Sequence, residues 1–296
     1  MNMSITSTQK SYIQKLKETY ENLKIGKEAL LGIIDEVEIA EAVYNSNAIE
    51  HSTLSLKETE KILLEMEISR DLPLREVYEA KNLARVVNYI KEKSKTEELT
   101  ENLILLLHQM LIGGINDEFA GRFRTTGEYV RVGSYIAAVP EKIPSLIKNI
   151  FINYAANIDD YFISKIAKFH LNFESIHPFC DGNGRIGRVL INYQLLRLGF
   201  PAIIIRDKEQ ALYHSAFTEF QSKNSSKIME KIIALALMEA LHKRNAYMQG
   251  AEIIKLSNYA RSINKPVSSI INMARRQTIA AFREKGIWKI ANPIST

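Results

Sequence analysis

Two stretches with helical patterning, residues 161–176 and 186–198, are joined by nine residues, His177-Pro178-Phe179-Cys180-Asp181-Gly182-Asn183-Gly184-Arg185. No other segment restricts the fold as tightly. Pro178 keeps His177 out of right-handed helical dihedrals, so the first helix must end there. Asp181-Gly182 and Asn183-Gly184 admit positive φ, predicting a tight turn that brings bare backbone N–H groups together. The second helix begins at once and is predicted to stop at Gly199.

The side chains of this connection share one chemistry. The free N–H groups and dipole of a helix start attract an anion, and Arg185 and Arg188, one turn apart, add two cations. Asp181 is a hard oxygen ligand suited to a magnesium ion bridging two phosphates. Asn183 can donate to a phosphate oxygen without adding charge. His177 can accept a proton from a hydroxyl near neutral pH. Phe179, turned inward, would anchor the loop. A plain helix–turn–helix connection with a capping Asp and a buried His is the simpler alternative, and it requires none of this convergence.

Around this connection the chain reads as mainly α. Leu30, Ile33, Ile34 and Val37 recur at helical spacing, as do Ile163, Ile166, Ala167 and Phe169, and residues 76–93 form another amphipathic pattern. With 13 Gly and 7 Pro in 296 residues, the punctuation of an all-β protein is missing. Residues 127–140 (GEYVRVGSYIAAVP) break the pattern and predict a short hairpin about Gly133-Ser134. Cys180 is the one cysteine, which excludes an internal disulfide and a cysteine-based zinc cluster. The apolar runs 103–107 and 232–238 are far too short to span a bilayer. The first residues show no continuous apolar segment after Lys10, so the expectation is a cytoplasmic protein without a secretory leader.

Ile176 to Arg188, IHPFCDGNGRIGR, closely resembles the signature of the Fic (Fido) family, His-Pro-Phe-x-Asp-Gly-Asn-Gly-Arg-x-x-Arg, at every specified position. Cys180 fills the variable position. The resemblance implies a Fic helical core with a β-hairpin flap, the flap being Gly121-Arg122-Phe123-Arg124 and the hairpin after it. It implies a protein adenylyltransferase moving AMP from ATP to a Ser, Thr or Tyr hydroxyl of a protein held near residues 127–140. His177 would be the general base, and Asp181 would bind Mg2+ (or Mn2+). Gly182, Asn183 and Gly184 would hold the phosphates, with Arg185 and Arg188 on the β- and γ-phosphates. Ser46-Asn47-Ala48-Ile49-Glu50 is similar to the inhibitory segment of many Fic proteins, although His51 stands where Gly or Asn is usual. Glu50 would then pair with Arg188 and act as a brake. Removal of AMP, transfer of another phosphate-linked group, and a transcriptional regulator using the core as a nucleotide sensor are the alternatives.

Three parts are expected: an N-terminal helical region over 1–95 carrying the inhibitory helix, a catalytic core over 96–248, and a small module over 249–296. Net charge is +5, and from Ala251 onward eight Lys/Arg face two Asp/Glu. That basic tail reads as helix–turn–helix–wing, with Ser268-Ser269 capping its second helix and Asn272, Arg275 and Arg276 placed to meet DNA. The stretch from Ala280-Ala281-Phe282 to Gly286-Ile287-Trp288-Lys289-Ile290 resembles the wing of excisionase-like and MerR-like modules. DNA or another protein is therefore an expected partner of this module. A membrane is not expected, and a homodimer stays open. The remaining histidines read as structural.

Overall fold

The computed structural model describes residues 5–66, 72–133 and 135–292. In chain order come α1 (Ser7–Leu23), α2 (Glu28–Ile49), α3 (Leu56–Glu60), α4 (Leu74–Lys93) and α5 (Glu101–Ile112). The hairpin β1 (Arg131–Val132) and β2 (Tyr135–Ile136) follows, then α6 (Ile143–Ala156), α7 (Phe162–Ile176), α8 (Asn183–Arg197), α9 (Gln210–Lys223) and α10 (Lys227–Met248). The C-terminal part contains β3 (Ile253–Lys255), α11 (Leu256–Ser262), α12 (Val267–Arg275), β4 (Ala281–Glu284) and β5 (Ile287–Ala291). Among the described residues no helix is long and apolar enough to cross a membrane.

Local chemistry sets several of these boundaries. Capping boxes open α1 (Thr6 with Gln9) and α3 (Ser55 with Glu58), and the Thr100 side chain caps α5. The anticipated hairpin is present, with Arg131 opposite Ile136 and Val132 opposite Tyr135. Ser134, at its turn, lies outside the described residues.

The α7–α8 pair forms a wall between two cores. On one side Phe169, Phe173, Ile186, Val189 and Tyr193 pack with α4, α5 and α6. On the other, Ile163, Ile166, Leu171, Ile191 and Leu195 pack with α1, α9 and α10. Phe173 and Tyr193 are fully buried, and truncating either to Ala would cost about 3–5 kcal/mol. The connection between these helices is thus held at both ends by packed structure. The first core crosses residue 95 without a break, joining Val43, Leu54 and Val77 to Leu103 and Leu107. The stripe on α2 differs from expectation: Ile34 is buried, whereas Ile33 and Val37 are 60% and 54% exposed.

The basic tail has its own small core, including Leu256, Ala260, Ile270, Ala274 and Ile290. Its sheet order is β3-β5-β4, antiparallel throughout. The tail thus consists of two short helices followed by a hairpin, with the short strand β3 ahead of them. Ser268 and Ser269 do not cap α12, which begins one residue earlier after Pro266 and lacks a side-chain cap. The wing turns inward. Arg283 pairs with Glu239 at 2.6 Å and Glu209 at 2.9 Å, Lys285 with Glu60 at 2.8 Å, and the Gly286 N–H donates to Glu41 at 3.1 Å.

Candidate active site

His177 closes α7 in a left-handed conformation, φ 52° and ψ 63°, its N–H donating to the Phe173 carbonyl at 3.0 Å. Pro178 therefore excludes the right-handed helix as anticipated, but His177 takes the left-handed region rather than an extended one. Gly182 is the second residue of the connection with positive φ, at 80°, and α8 starts directly after it. A side chain at Gly182 would press on Ile112 and Leu111 at 3.1 and 3.2 Å. The helix begins at Asn183, three residues earlier than the pattern predicts, so Asn183 and Gly184 belong to its first turn instead of to the tight turn before it.

That shift changes the role of the Asn183 side chain. Its Oδ1 accepts from the Phe179 N–H at 2.9 Å and its Nδ2 donates to the Phe179 carbonyl at 2.8 Å. The buried amide staples the loop, with one of its two N–H donors given to the Phe179 carbonyl rather than to a phosphate. No side chain caps α8, so its first backbone N–H groups form an anion site of the kind a helix start offers.

Phe179 is turned into the core beneath the loop. It is fully buried, stacked on the His108 ring at 3.6 Å and 3°, with Phe123 at 5.3 Å. His108 accepts the Gly121 N–H at Nδ1 (3.0 Å), so its Nε2 carries the proton and donates to the Asp181 carbonyl at 3.0 Å. Arg124 ties the other side. Its guanidinium donates to the carbonyls of His177 (2.9 Å), Glu128 (2.8 Å) and Ala138 (2.8 Å), and its N–H donates to the Pro178 carbonyl at 2.9 Å. One buried arginine thus joins the base of the flap to the catalytic loop. Nothing in the sequence spacing marked Arg124 or His108 for these roles, because each acts across more than 50 residues of chain.

Burial lowers the His177 imidazole to about 4, against the opposing pull of the Glu174 carbonyl. The ring is therefore neutral at physiological pH. Its Nδ1 is buried, 3.9 Å from Glu174 Oε2, while the side chain is 21% exposed. The edge open to a substrate is the one carrying Nε2. Beside it, burial raises Glu174 to about 8, so this carboxyl carries its proton near neutrality.

The two expected phosphate arginines are both committed to protein groups. Arg185 lies 3.1 Å from Asp181 Oδ1 and 3.2 Å from Glu79 Oε1. Asp181 also pairs with Arg75, whose side chain is 58% exposed. Glu79 and Arg75, on α4, were not foreseen. Arg188 is buried, donating to Ser46 Oγ at 2.9 Å, to the Ser46 carbonyl at 2.8 Å and to Glu50 Oε1 at 2.8 Å. Tyr213 Oη, 3.5 Å from Arg188 and 2.8 Å from His170 Nε2, completes its surroundings. Burial raises the Glu50 carboxyl, but Arg188 and Arg185 together outweigh it and hold Glu50 below the ordinary range. Ser46 and Glu50 are thus brought to Arg188 as the inhibitory resemblance implied, with α2 delivering both. His51 takes φ 67°, directly after the helix-capping Glu50.

Among the described residues no cluster of three or more His, Cys, Asp or Glu side chains could hold a metal unaided. Asp181 alone fits a magnesium ion whose other ligands are phosphate oxygens and water, the usual arrangement for that ion. Cys180 is partly buried, and burial raises its thiol, which argues against a nucleophile there.

A sequence profile of the Fic/DOC family matches residues 98–195. Protein adenylyltransferase fic-1 of Caenorhabditis elegans is 32% identical over 179 residues, 59% of this chain and 35% of that protein. Protein adenylyltransferase Fic of Nematostella vectensis is 32% identical over 177 residues, 58% of this chain and 41% of that one. The chain thus spans well under half the length of these curated relatives. A Fic-domain-containing signaling protein from Bacteroides thetaiotaomicron shares the fold with TM-score 0.72 at 23% identity, covering 80% of this chain and 97% of its own. A Fic family protein from Desulfovibrio desulfuricans aligns over 98% of this chain and 97% of its own, TM-score 0.61 at 20% identity. Profile, relatives and fold agree with the loop geometry: residues 98–195 match the Fic/DOC family model, and the catalytic-loop candidate lies within them.

Proposed function

We propose that this protein transfers AMP from ATP to a hydroxyl of a protein, and that Glu50 restrains the reaction. The observation carrying the proposal is one juxtaposition: a neutral imidazole, His177, beside an uncapped helix start flanked by Arg185 and Arg188. The matching relatives are named protein adenylyltransferases, which supports the same chemistry.

In this reading the backbone of Gly182, Asn183 and Gly184 and the side chains of Arg185 and Arg188 hold the ATP phosphates. His177 takes the proton of a Ser, Thr or Tyr hydroxyl as its oxygen attacks the α-phosphorus. The bond to the bridging oxygen breaks, and pyrophosphate leaves with its charge offset by the arginines. Asp181 would hold a Mg2+ or Mn2+ ion, which adds charge neutralisation on the phosphates. The hydroxyl-bearing segment would lie along the flap. There a groove of about 660 Å³, lined by Tyr135, Ile136, Leu146 and Ile176, opens beside the catalytic loop, and Ile136 is 71% exposed. Among the described residues no strand pairs with the outer edge of β2, which could accept another strand.

Residues 1–95 would then regulate, 96–248 catalyse, and 249–296 dock a partner. Duplex DNA is the partner that the outer face of the tail favours. Arg261, Lys265, Asn272, Arg275 and Arg276 are exposed there, and the wing is occupied against the body. Binding that does not weaken with added salt would exclude that partner.

To test the enzymatic proposal, Glu50→Gly protein is incubated with ATP and lysate and the products are examined by intact-mass and fragment spectra. One AMP on a protein hydroxyl supports it. Phosphate or a different nucleotide-linked group on the product would replace it with another transfer reaction.

A further inference from the structure

The helix that delivers Ser46 and Glu50 is unpacked along one face. Glu28, Leu31, Gly32, Asp35, Ile39 and Ala42 of α2 follow helical spacing, and all of them line a cavity of about 360 Å³. Val87 and Ile90 of α4, Leu196 of α8 and Phe200 form its other walls. This size falls within the range of small-molecule sites. A smaller space of about 40 Å³ shares Ala42, Val87 and Ile90 with it and ends on Ser46 and Arg188. The two spaces share lining residues beneath α2, and the smaller one reaches the arginine that Glu50 engages. A Cβ added at Gly32 would meet nothing within 4 Å.

The charges around this cavity are unequal. Asp35 is paired with Lys91 and Arg244, and Glu38 with Arg244 and Lys243. Glu28 accepts the Gly26 N–H at 3.2 Å. Lys24 is paired with Glu21. Lys95 lines the same cavity, is exposed, and makes no ion pair among the described residues. A mostly apolar wall with one uncommitted cation matches an apolar molecule with one anionic end.

We propose that this cavity binds a small amphipathic anion, an apolar body carrying one carboxylate or sulfonate, and that its occupation strengthens the restraint by Glu50. The regulatory half rests on the AMP-transfer reading; the binding half does not. The cavity exists in the arrangement where α2 holds Arg188 through Ser46 and Glu50. An occupant makes contacts with α2 only while the helix stays there, so binding favours that arrangement over any in which α2 withdraws.

The test titrates the full chain with 1-anilinonaphthalene-8-sulfonate and displaces it with decanoate. The expected result is a saturable fluorescence rise, reversed by decanoate. Its midpoint should shift roughly tenfold in Gly32→Trp, which fills the cavity, and about threefold in Lys95→Glu, an exposed change that leaves packing intact. No saturable rise, or an unchanged midpoint in both variants, overturns the site. Saturating decanoate should lower AMP transfer by wild type and leave Glu50→Gly unaffected. Equal inhibition of both removes the regulatory half. If Glu50→Gly transfers no AMP under any condition, the active-site reading fails and takes that half with it, while fluorescence still decides the binding half.

Discussion

The Glu50 carboxylate occupies the space that a side chain on Gly184 would need: a Cβ built there would stand 2.2 Å from Glu50 Oε1. Gly184 is in the first turn of α8, so this carboxylate rests on the open helix start as well as on Arg188. It is an anion in an anion site, supplied by the chain itself. Any phosphate seeking the same N–H groups and the same guanidinium must compete with it.

Removing that carboxylate should therefore release the enzyme. Glu50→Gly is expected to raise AMP incorporation by roughly tenfold or more, as an interaction of Arg188 with phosphate becomes available for positioning. The fold should tolerate the change. The Glu50 side chain is 42% exposed, so water can take its place beside the buried Arg188, which keeps Ser46 and Tyr213. Because Glu50 titrates below the ordinary range, its charge persists through neutrality and is lost only in acid. Incorporation by wild type that rises steeply between about pH 8 and 6 would contradict this account.

His177→Ala in the released background should lower transfer by about two orders of magnitude or more, the usual cost of losing a general base. With the imidazole held at about 4, its base form is complete well below neutrality. The rate should thus show no His177-dependent fall until pH approaches 4. A fall centred near pH 6.5 in initial-rate measurements would mean that the ring is not buried as described.

Arg124→Ala should loosen flap and loop together. It strips a buried donor from the carbonyls of His177, Glu128 and Ala138, each at about 1–3 kcal/mol if left unsatisfied. The expected outcome is a lower melting temperature together with reduced transfer. Arg124→Lys should rescue neither fully, since one ammonium cannot span three diverging acceptors. Full rescue by lysine would show that only the charge matters.

Acid should destabilise the fold as a whole. Burial holds His108, His177 and His242 at about 4 and His170 at about 3. Between those values and about 6.5 the unfolded chain binds protons that the folded chain refuses, so stability falls as pH falls. Glu174, raised to about 8, acts in the opposite sense, taking its proton in the folded state first. Four groups outweigh one, and the melting temperature should drop by several degrees between about pH 7 and 5. A constant or rising value would contradict the burial of these rings.

The local parts of this site were legible in the sequence. Pro178 and Gly182 mark the loop, the apolar spacing marks α7 and α8, and Ser46 and Glu50 stand on the helix that their segment suggested. What stayed hidden depends on contacts distant in the chain. The amide of Asn183 folds back on Phe179 because α8 starts early, which no residue pattern specifies. Arg124, His108 and Glu79 reach the loop from other elements, and a charged or aromatic side chain does not announce its distant partner. The exposure of Ile33 and Val37 shows the limit of periodicity: spacing gives a helix face but not what covers it. The inward wing followed the same rule, since Arg283 looks like any basic residue until Glu239 and Glu209 are placed beside it.

The most direct test of the central claim follows the phosphate. Glu50→Gly protein is given ATP labelled at either the α- or the γ-phosphate, and label bound to protein is counted, with Glu50→Gly/His177→Ala as the comparison. Protein-bound α-label, no γ-label, and loss of the signal in the double variant are the expected result. Bound γ-label, or α-label undiminished without His177, would contradict it.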